Sequence, residues 1–432
     1  MTNEKNIARE VLGVLTGNIA TLLIGFITSV IISRMLGPEL KGSYTTLLVI
    51  PGILSSFVML GSRNSIIFHV GNKIYNNQQV ISAVIFLFFI SCFIGIFLFL
   101  TSYWFFTSKN YGSLIISIIL CYIPIKLGIA YSGSILLANL KFKKANQLKW
   151  MTAFLTLLSV IIFVLILKWS ITGTFISLLM ATFIVLVYAL YHISREFEIK
   201  IQFDKKVISK IVRLGLINAI ALVVIQLNFR VDILIMNYLS TEKEIGYYSV
   251  GVSIAEKLWQ LPFAVGVVLT SRSASSQNAE ELEKDVSQLL RVTFLIILIA
   301  AIFLYFLAPY LIPLFFGKAF YQSIFVVQTI LPGVLFFVIV RILSSSLAGL
   351  GKTYLILFIF IPALLINILL NFIWIPEFGG IGAAWATNIS YILGASALLI
   401  VYARQTNISL MKFFSFERDD LKILQRTKKL RK

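Results

Sequence analysis

The chain has 432 residues, 59% of them hydrophobic and 13% charged, with a mean hydropathy of +0.94 and a formal net charge of +19. Soluble domains carry roughly 25% charged residues, so this composition excludes a water-soluble fold and points to a bilayer. Cys92 and Cys121 both sit in apolar runs and His69 and His192 are far apart, which excludes a disulfide framework, a thiolate cage and a histidine metal motif.

Apolar runs of about 20 residues, the length that crosses hydrocarbon, recur along the chain. They predict twelve spans, over 11–33, 44–66, 80–106, 112–138, 149–168, 170–192, 214–240, 245–270, 289–316, 321–349, 353–375 and 380–403. Lys5 and Arg9 precede the first run as they would in a signal peptide, but the run is long, lacks a small-x-small cleavage site and is followed by eleven more. It is read as retained.

With the N-terminus inside, cytoplasmic segments hold 27 of the 37 Lys and Arg residues, and outer loops hold six: Arg34, Lys41, Lys109, Lys168, Lys243 and Lys318. This asymmetry predicts a multi-pass protein with both termini cytoplasmic. It also explains the positive charge without nucleic acid, because the basic residues are spread over short loops on one face. The tail RDDLKILQRTKKLRK is expected beside the anionic membrane lipids of the inner leaflet. Trp104, Trp169 and Trp374, near predicted outer ends, are interfacial anchors.

The chain repeats itself. RMLGPELKGSYTTL (34–47) and NYLSTEKEIGYYSV (237–250) share a Leu, acidic residue, Gly, Tyr order at an offset of about 204, and Ser134, Leu137, Ala138 and Leu140 fall on Ser344, Leu347, Ala348 and Leu350 at an offset of 210. WSITGTF (169–175) enters its span much as FGGIGAAW (378–385) enters the last. An even number of spans per repeat makes the two halves parallel. The expected organisation is an N-terminal six-helix lobe over 1–193, a cytoplasmic connector over 194–213, a C-terminal six-helix lobe over 214–404 and a basic tail over 405–432. Pro124 and Pro332 occupy similar places in the two halves, where a missing N–H opens the helical ladder.

Lys126, Arg230, Lys257 and Arg341 fall within spans, together with Asp232 and Glu256, for a sum of +2. Arg230 and Asp232 lie about 200° apart on a helix and need separate partners. One reading is a pair of interhelix ion pairs, Arg230 with Glu256 and Asp232 with Lys257. It leaves Lys126 and Arg341 without an intramembrane carboxylate, and a lone cation at mid-bilayer costs about 3 kcal/mol, so these residues are expected to face a wet cavity or an anionic ligand. Arg63, at the inner end of the second span, either joins that cavity or snorkels to the interface. The candidate anion-binding set is therefore Arg230, Lys257, Lys126, Arg341 and Arg63, with Asp232 and Glu256 as ion-coupling or ion-pairing groups. Catalytic and metal-binding residues are not expected. GLGKT (349–353) is not a phosphate loop, because Ser346 stands where that pattern needs Gly and no strand precedes it.

SRMLGPELKGSYTTLL, VDILIMNYLSTEKEIGYYSVGVSIAEKLWQLP and LINILLNFIWIPEFGGIGAAWATNISYIL resemble the polysaccharide-export flippases of the Wzx type, within the multidrug, oligosaccharidyl-lipid and polysaccharide (MOP) exporter superfamily. The resemblance implies an all-α polytopic membrane protein, with twelve transmembrane helices in two six-helix lobes forming a MATE-like V around a central cavity. It further implies a non-enzymatic flippase of the bacterial inner (cytoplasmic) membrane. Such a flippase moves oligosaccharide repeat units linked to undecaprenyl pyrophosphate from the cytoplasmic to the outer leaflet for O-antigen, capsule or exopolysaccharide assembly. No cofactor is implied beyond an H+ or Na+ gradient, and the implied partners are the polyprenyl-pyrophosphate-linked oligosaccharide and a polysaccharide polymerase with its chain-length machinery. Two other readings stand beside it. A multidrug cation antiporter of the same fold would favour an acidic cavity, and a membrane glycan polymerase or ligase commonly carries a large external loop.

Overall fold

The computed structural model describes residues 2–59, 61–71, 74–106, 111–197, 202–275 and 279–406, with Phe413 and Ser415. Lys109, residues 198–201 of the expected connector and nearly all of the basic tail lie outside the described residues. The described residues are helical and contain no strand. Their contacts form two compact units, Met1–Gln226 and Leu227–Lys432.

The first unit contains α1 (Thr2–Val58), α2 (Ser62–Gly71), α3 (Asn77–Phe106), α4 (Ser113–Ala138), α5 (Phe142–Val160) running into a π turn at Ile161–Ile166, α6 (Ser170–Glu196) and the first part of α7 (Lys205–Leu239). Its hub is α4, which packs against α1, α2, α3, α5 and α6. Tyr131 and Ile135 of α4 share a buried cluster with Ile66, Val84 and, from α7, Val207 and Ile211, so the start of α7 belongs to this core. At one end Glu196 of α6 pairs with Lys144 and, at 3.6 Å, with Lys141 at the start of α5.

The second unit takes the rest of α7, then α8 (Glu242–Ala255), a 3-10 turn at Glu256–Trp259, α9 (Gln260–Ser275), α10 (Ala279–Phe316), α11 (Ser323–Gly349) and α12 (Thr353–Thr406). Here α11 is the hub, packed against α8, α9, α10 and α12. Pro332 opens its ladder, and Asn388 of α12 closes the gap: its Oδ1 accepts from the Gly333 N–H at 2.8 Å and its Nδ2 donates to the Thr329 carbonyl.

Two helices are too long for one crossing. The apolar part of α1, Ala20–Val58, has 39 residues and rises about 58 Å at 1.5 Å per residue, nearly twice the hydrocarbon thickness. The chain breaks at Gly37 (φ 70°, ψ 177°). The 54 residues of α12 break likewise at Gly379 (φ 53°, ψ −129°). Only glycine adopts these backbone angles without steric cost. The expected spans 11–33 and 44–66, and 353–375 and 380–403, start on either side of these two breaks, but 44–66 does not stay one helix: α1 ends at Val58, Gly61 turns the chain (φ 61°) and α2 begins at Ser62. Together α8, the 3-10 turn and α9 make the span expected at 245–270. Among the described residues nine helices are long and apolar enough to cross a membrane.

A capping pattern starts α8, with Thr241 Oγ1 accepting from the Glu244 N–H at 3.2 Å. The Glu244 carboxylate does not return to its own helix but accepts from the Gly380 N–H at 3.1 Å, capping the second limb of α12 just after its break.

The two units also repeat a close approach. A Cβ at Gly173 would sit 2.8 Å from the Phe163 carbonyl oxygen, and one at Gly382 would press on the Trp374 carbonyl in the same way. Substituting either residue with alanine is expected to destabilise the protein by about 1–3 kcal/mol, the usual cost of overpacking. Thermal unfolding of the purified protein in detergent checks this, with Gly133→Ala, where a Cβ meets nothing within 4 Å, leaving the midpoint unchanged or raised.

Candidate functional site

The charged residues of α7 each find a different partner. The Arg230 guanidinium forms a two-pronged pair with Glu256 in the 3-10 turn, Nη1 donating to Oε1 and Nη2 to Oε2, both at 3.0 Å. Arg230 and Glu256 are 34% and 18% exposed, so the pair is partly shielded and mutually neutralised. On the opposite face, buried Asp232 accepts a hydrogen bond from the Tyr248 hydroxyl of α8 and one at 2.8 Å from the Ile233 N–H. The expected pair of Asp232 with Lys257 does not form. Lys257 is exposed and forms no ion pair among the described residues, though the neighbouring Glu256 carboxylate and Arg230 guanidinium both act on its ammonium.

The floor under the Arg230–Glu256 pair is aromatic. Trp259 lies 4.3 Å from Phe337, 5.5 Å from Phe229 and 5.9 Å from Tyr391 between ring centroids, and its Nε1 donates to the Val334 carbonyl at 3.2 Å. These rings fix the 3-10 turn and thus the Glu256 carboxylate. Close by on α12, the buried Thr387 side chain lies against the Tyr248 hydroxyl. Ser390 Oγ donates to the Ala363 carbonyl at 3.0 Å and to Asn228 Oδ1 at 3.2 Å, which ties α12 to α7.

The two expected lone cations lie on the two hub helices, and each covers a ring. Lys126 Nζ of α4 is 5.7 Å from the Tyr122 ring centroid, and the Arg341 guanidinium of α11 is 4.4 Å from that of Phe263. Arg341 Nε is buried with no hydrogen-bond partner among the described residues. Arg63 is exposed at the start of α2 and lies near Lys149 of α5. Lys126 and Arg63 thus belong to the first unit, and Arg230, Asp232, Glu256, Lys257 and Arg341 to the second.

Two participants were not singled out from the sequence. Lys41, expected in an outer loop, is buried within α1 with its Nζ 5.1 Å from the Tyr44 ring centroid. Tyr248, the partner of Asp232, carried a usable signal: it aligns with Tyr44 at the offset of 204 that relates the two Gly-x-Tyr stretches.

Packed apolar helices with charged side chains held inside each unit define a multi-span membrane fold. That fold is shared with the lipid II flippase MurJ in an inward closed conformation, with a TM-score of 0.77 at 19% identity over 96% of this chain and 95% of that one. It is shared also with a multidrug resistance MATE family transporter of the MOP superfamily in an inward-facing conformation, with a TM-score of 0.74 at 14% identity over 91% and 96% of the two chains. The chain belongs to the polysaccharide biosynthesis protein family, whose profile matches residues 7–269, more than half its length. A candidate O-antigen transporter of Shigella flexneri is 24% identical over 176 residues, which make up 40% of this chain and 42% of that one, so the match spans less than half of that relative. The all-α, MATE-like fold and the kinship with polysaccharide exporters expected from the sequence are both borne out.

Removing one member of the Arg230–Glu256 pair leaves the other uncompensated in a semi-enclosed site. Glu256→Gln and Arg230→Gln are each expected to lower the unfolding midpoint, and the double substitution is expected to recover part of the loss. A double-mutant cycle of thermal unfolding measures the coupling, expected at about 0.5–3 kcal/mol.

Proposed function

We propose that this protein is a flippase that carries oligosaccharide repeat units on a polyprenyl pyrophosphate from the cytoplasmic to the outer leaflet by alternating access. The observation that carries this reading is the presence of cations on both hub helices with aromatic rings for neighbours and no carboxylate partner among the described residues. Such cations await an anion, and a pyrophosphate headgroup is an anion that must be sheltered while it crosses low dielectric. In the first unit Lys126 offers a net positive contact, and in the second unit Arg341 and Lys257 do. Arg230, held by Glu256, contributes N–H donors without net charge, and Arg63 meets the headgroup at the cytoplasmic side. The family supports the polysaccharide cargo, and the fold it shares with a lipid II flippase supports lipid-linked transport.

Coupling to an H+ or Na+ gradient falls to Asp232, since Glu256 is committed to Arg230. Protonation or a bound sodium ion neutralises this enclosed carboxylate, with the Thr387 hydroxyl against its Tyr248 partner. Both termini are placed in the cytoplasm, the membrane is the bacterial inner membrane, and the delivered units pass to a polymerase with its chain-length machinery.

The test is complementation of a flippase-deleted strain at matched membrane levels. Wild type is expected to restore surface glycan, and Lys126→Ala and Arg341→Ala to lower export roughly tenfold each, the value of one charge-assisted contact, with lipid-linked units trapped inside. Normal export by both variants would remove the cations from cargo binding. Transfer in vesicles that ignores both proton and sodium gradients would remove the coupling role of Asp232.

A further inference from the structure

In the second unit, α11 is held by one helix before Pro332 and by another after it. Before the proline, Ser323 Oγ donates to the Tyr247 carbonyl of α8 at 2.9 Å, and α8 approaches so closely that a Cβ on Gly251 would stand 2.7 Å from Val326. After it, α9 is the neighbour: Thr270 Oγ1 donates to the Ser345 carbonyl at 3.1 Å, the Ser273 and Ser346 hydroxyls are hydrogen-bonded at 3.1 Å, and Gly349 lies against the Thr270 carbonyl. Helices α8 and α9 are themselves two limbs of one span, separated by the 3-10 turn Glu256–Trp259, and 3-10 geometry inside a span often marks a hinge. The two interruptions meet, because Trp259 Nε1 donates to the Val334 carbonyl two residues past Pro332. Each limb of α11 is thus fastened to one limb of the neighbouring span, and the joints lie side by side.

Asn388 of α12 sits in that joint. Its Oδ1 accepts from the Gly333 N–H and its Nδ2 donates to the Thr329 carbonyl, and these groups, four residues apart, are the pair that bonds to itself in an uninterrupted α-helix. One side chain stands in for a whole rung of the ladder, and such an insertion sets the local angle of a helix. Gly333 admits it, since a Cβ there would strike Asn388 Oδ1 and come within 3.0 Å of its Cα. Both backbone groups are satisfied in either of two arrangements, with the carboxamide inserted or with it withdrawn and the rung closed on itself. The two differ by an exchange of hydrogen bonds, not by the loss of one. Asn388 is only partly buried, so its carboxamide is not stranded when it leaves. The hub of the first unit lacks this device: α4 has Pro124, but α6, which packs on it, contains no Asn or Gln.

We infer that Asn388 is a reversible clasp on a hinge that crosses the second unit through Thr329–Gly333 of α11 and the Glu256–Trp259 turn between α8 and α9. When the carboxamide withdraws, the rung closes, and the later limb of α11 swings with α9 relative to the earlier limb and α8. A bend of about 20° moves Leu350, at the end of that limb, by roughly 9 Å. The limb carries Arg341 and the turn carries Glu256 with its Arg230 partner, so the hinge repositions the charged groups of this unit together. Asn388 is a positioning residue that acts through α11. The clasp rests on the alternating-access reading for its purpose and gives that reading a moving part.

Fluorine NMR of the full chain in nanodiscs, labelled with 5-fluorotryptophan, reads the joint, because Trp259 is bonded to Val334 and packed at 4.3 Å on Phe337. Trp259→Phe assigns its signal among the six tryptophans. Three variants release the clasp by unrelated means: Asn388→Ala removes the carboxamide, Gly333→Ala expels it, and Pro332→Ala restores the N–H that completes the ladder from within. All three are expected to move the Trp259 signal to one shared second position, which separate disturbances of packing would not produce. Gly394→Ala, further along α12 where a Cβ meets only ordinary contacts, is expected to leave it in place. Each releasing variant is also expected to lower surface-glycan export roughly tenfold, the weight of about one hydrogen bond in the balance of two states. Three unrelated positions, or no movement, would overturn the clasp, and a shared position with normal export would overturn its part in transport. If wild type restores surface glycan while the variants fail to converge, the clasp falls and the flippase reading stands; if they converge and wild type restores none, the reading falls and the hinge stands. Unfolding midpoints identify the folded variants, and any two of the three decide the matter.

Discussion

An ion in low dielectric must be answered by an opposite charge, a dipole, a ring or water, and the interior of each unit is arranged around that demand. The second unit answers from within. Glu256 takes Arg230 end-on, and Tyr248 with the Ile233 N–H takes Asp232. The first unit has no comparable acid, and its cations lie against tyrosine rings. The second unit thus pairs Arg230 and Asp232 from within while leaving the Arg341 Nε without a hydrogen-bond partner among the described residues, and the buried Lys41 and Lys126 of the first unit lie against rings. The aligned tyrosines show how the divergence is built: Tyr248 donates to a carboxylate, while Tyr44 lies under an ammonium.

The packing is more conservative than the charges. Helices α4 and α11 serve as hubs of their units, and the close approaches at Gly173 and Gly382 both set a glycine against a backbone carbonyl. A proline-opened ladder in α11 is closed by a side chain from α12, which keeps the hub straight enough to pack while freeing it from a strict hydrogen-bond pattern. Each hub carries one cation against a ring, Lys126 on α4 and Arg341 on α11.

Most spans were legible because hydrocarbon thickness imposes one length on every crossing, but composition does not fix every boundary: 44–66 reads as one apolar run, yet α1 ends at Val58 and α2 begins at Ser62. The repeat was legible because close helix approaches restrict positions such as Gly173 and Gly382 to glycine. The breaks within α1 and α12 were visible as polar or glycine-bearing joins, but not the fact that helix resumes within a residue or two of Gly37 and Gly379, since that depends on backbone angles rather than polarity. Partners were harder. Helical spacing correctly separated Arg230 from Asp232 and offered Glu256, yet it assigned Lys257 to Asp232, because opposite charge is easier to read than a tyrosine hydroxyl one helix away. Lys41 was hidden by its position, since a cation beside a predicted loop looks solvated until the helix is seen to begin at Gly37.

The cap on the second limb of α12 bears on how the protein is made. Gly380, whose N–H would otherwise stand bare just after the break at Gly379, is met by a carboxylate 136 residues earlier in the chain. The last crossing therefore takes its starting point from a helix already synthesised and packed, not from a residue of its own. Without α8 in place, the final limb would begin with the Gly380 N–H uncapped.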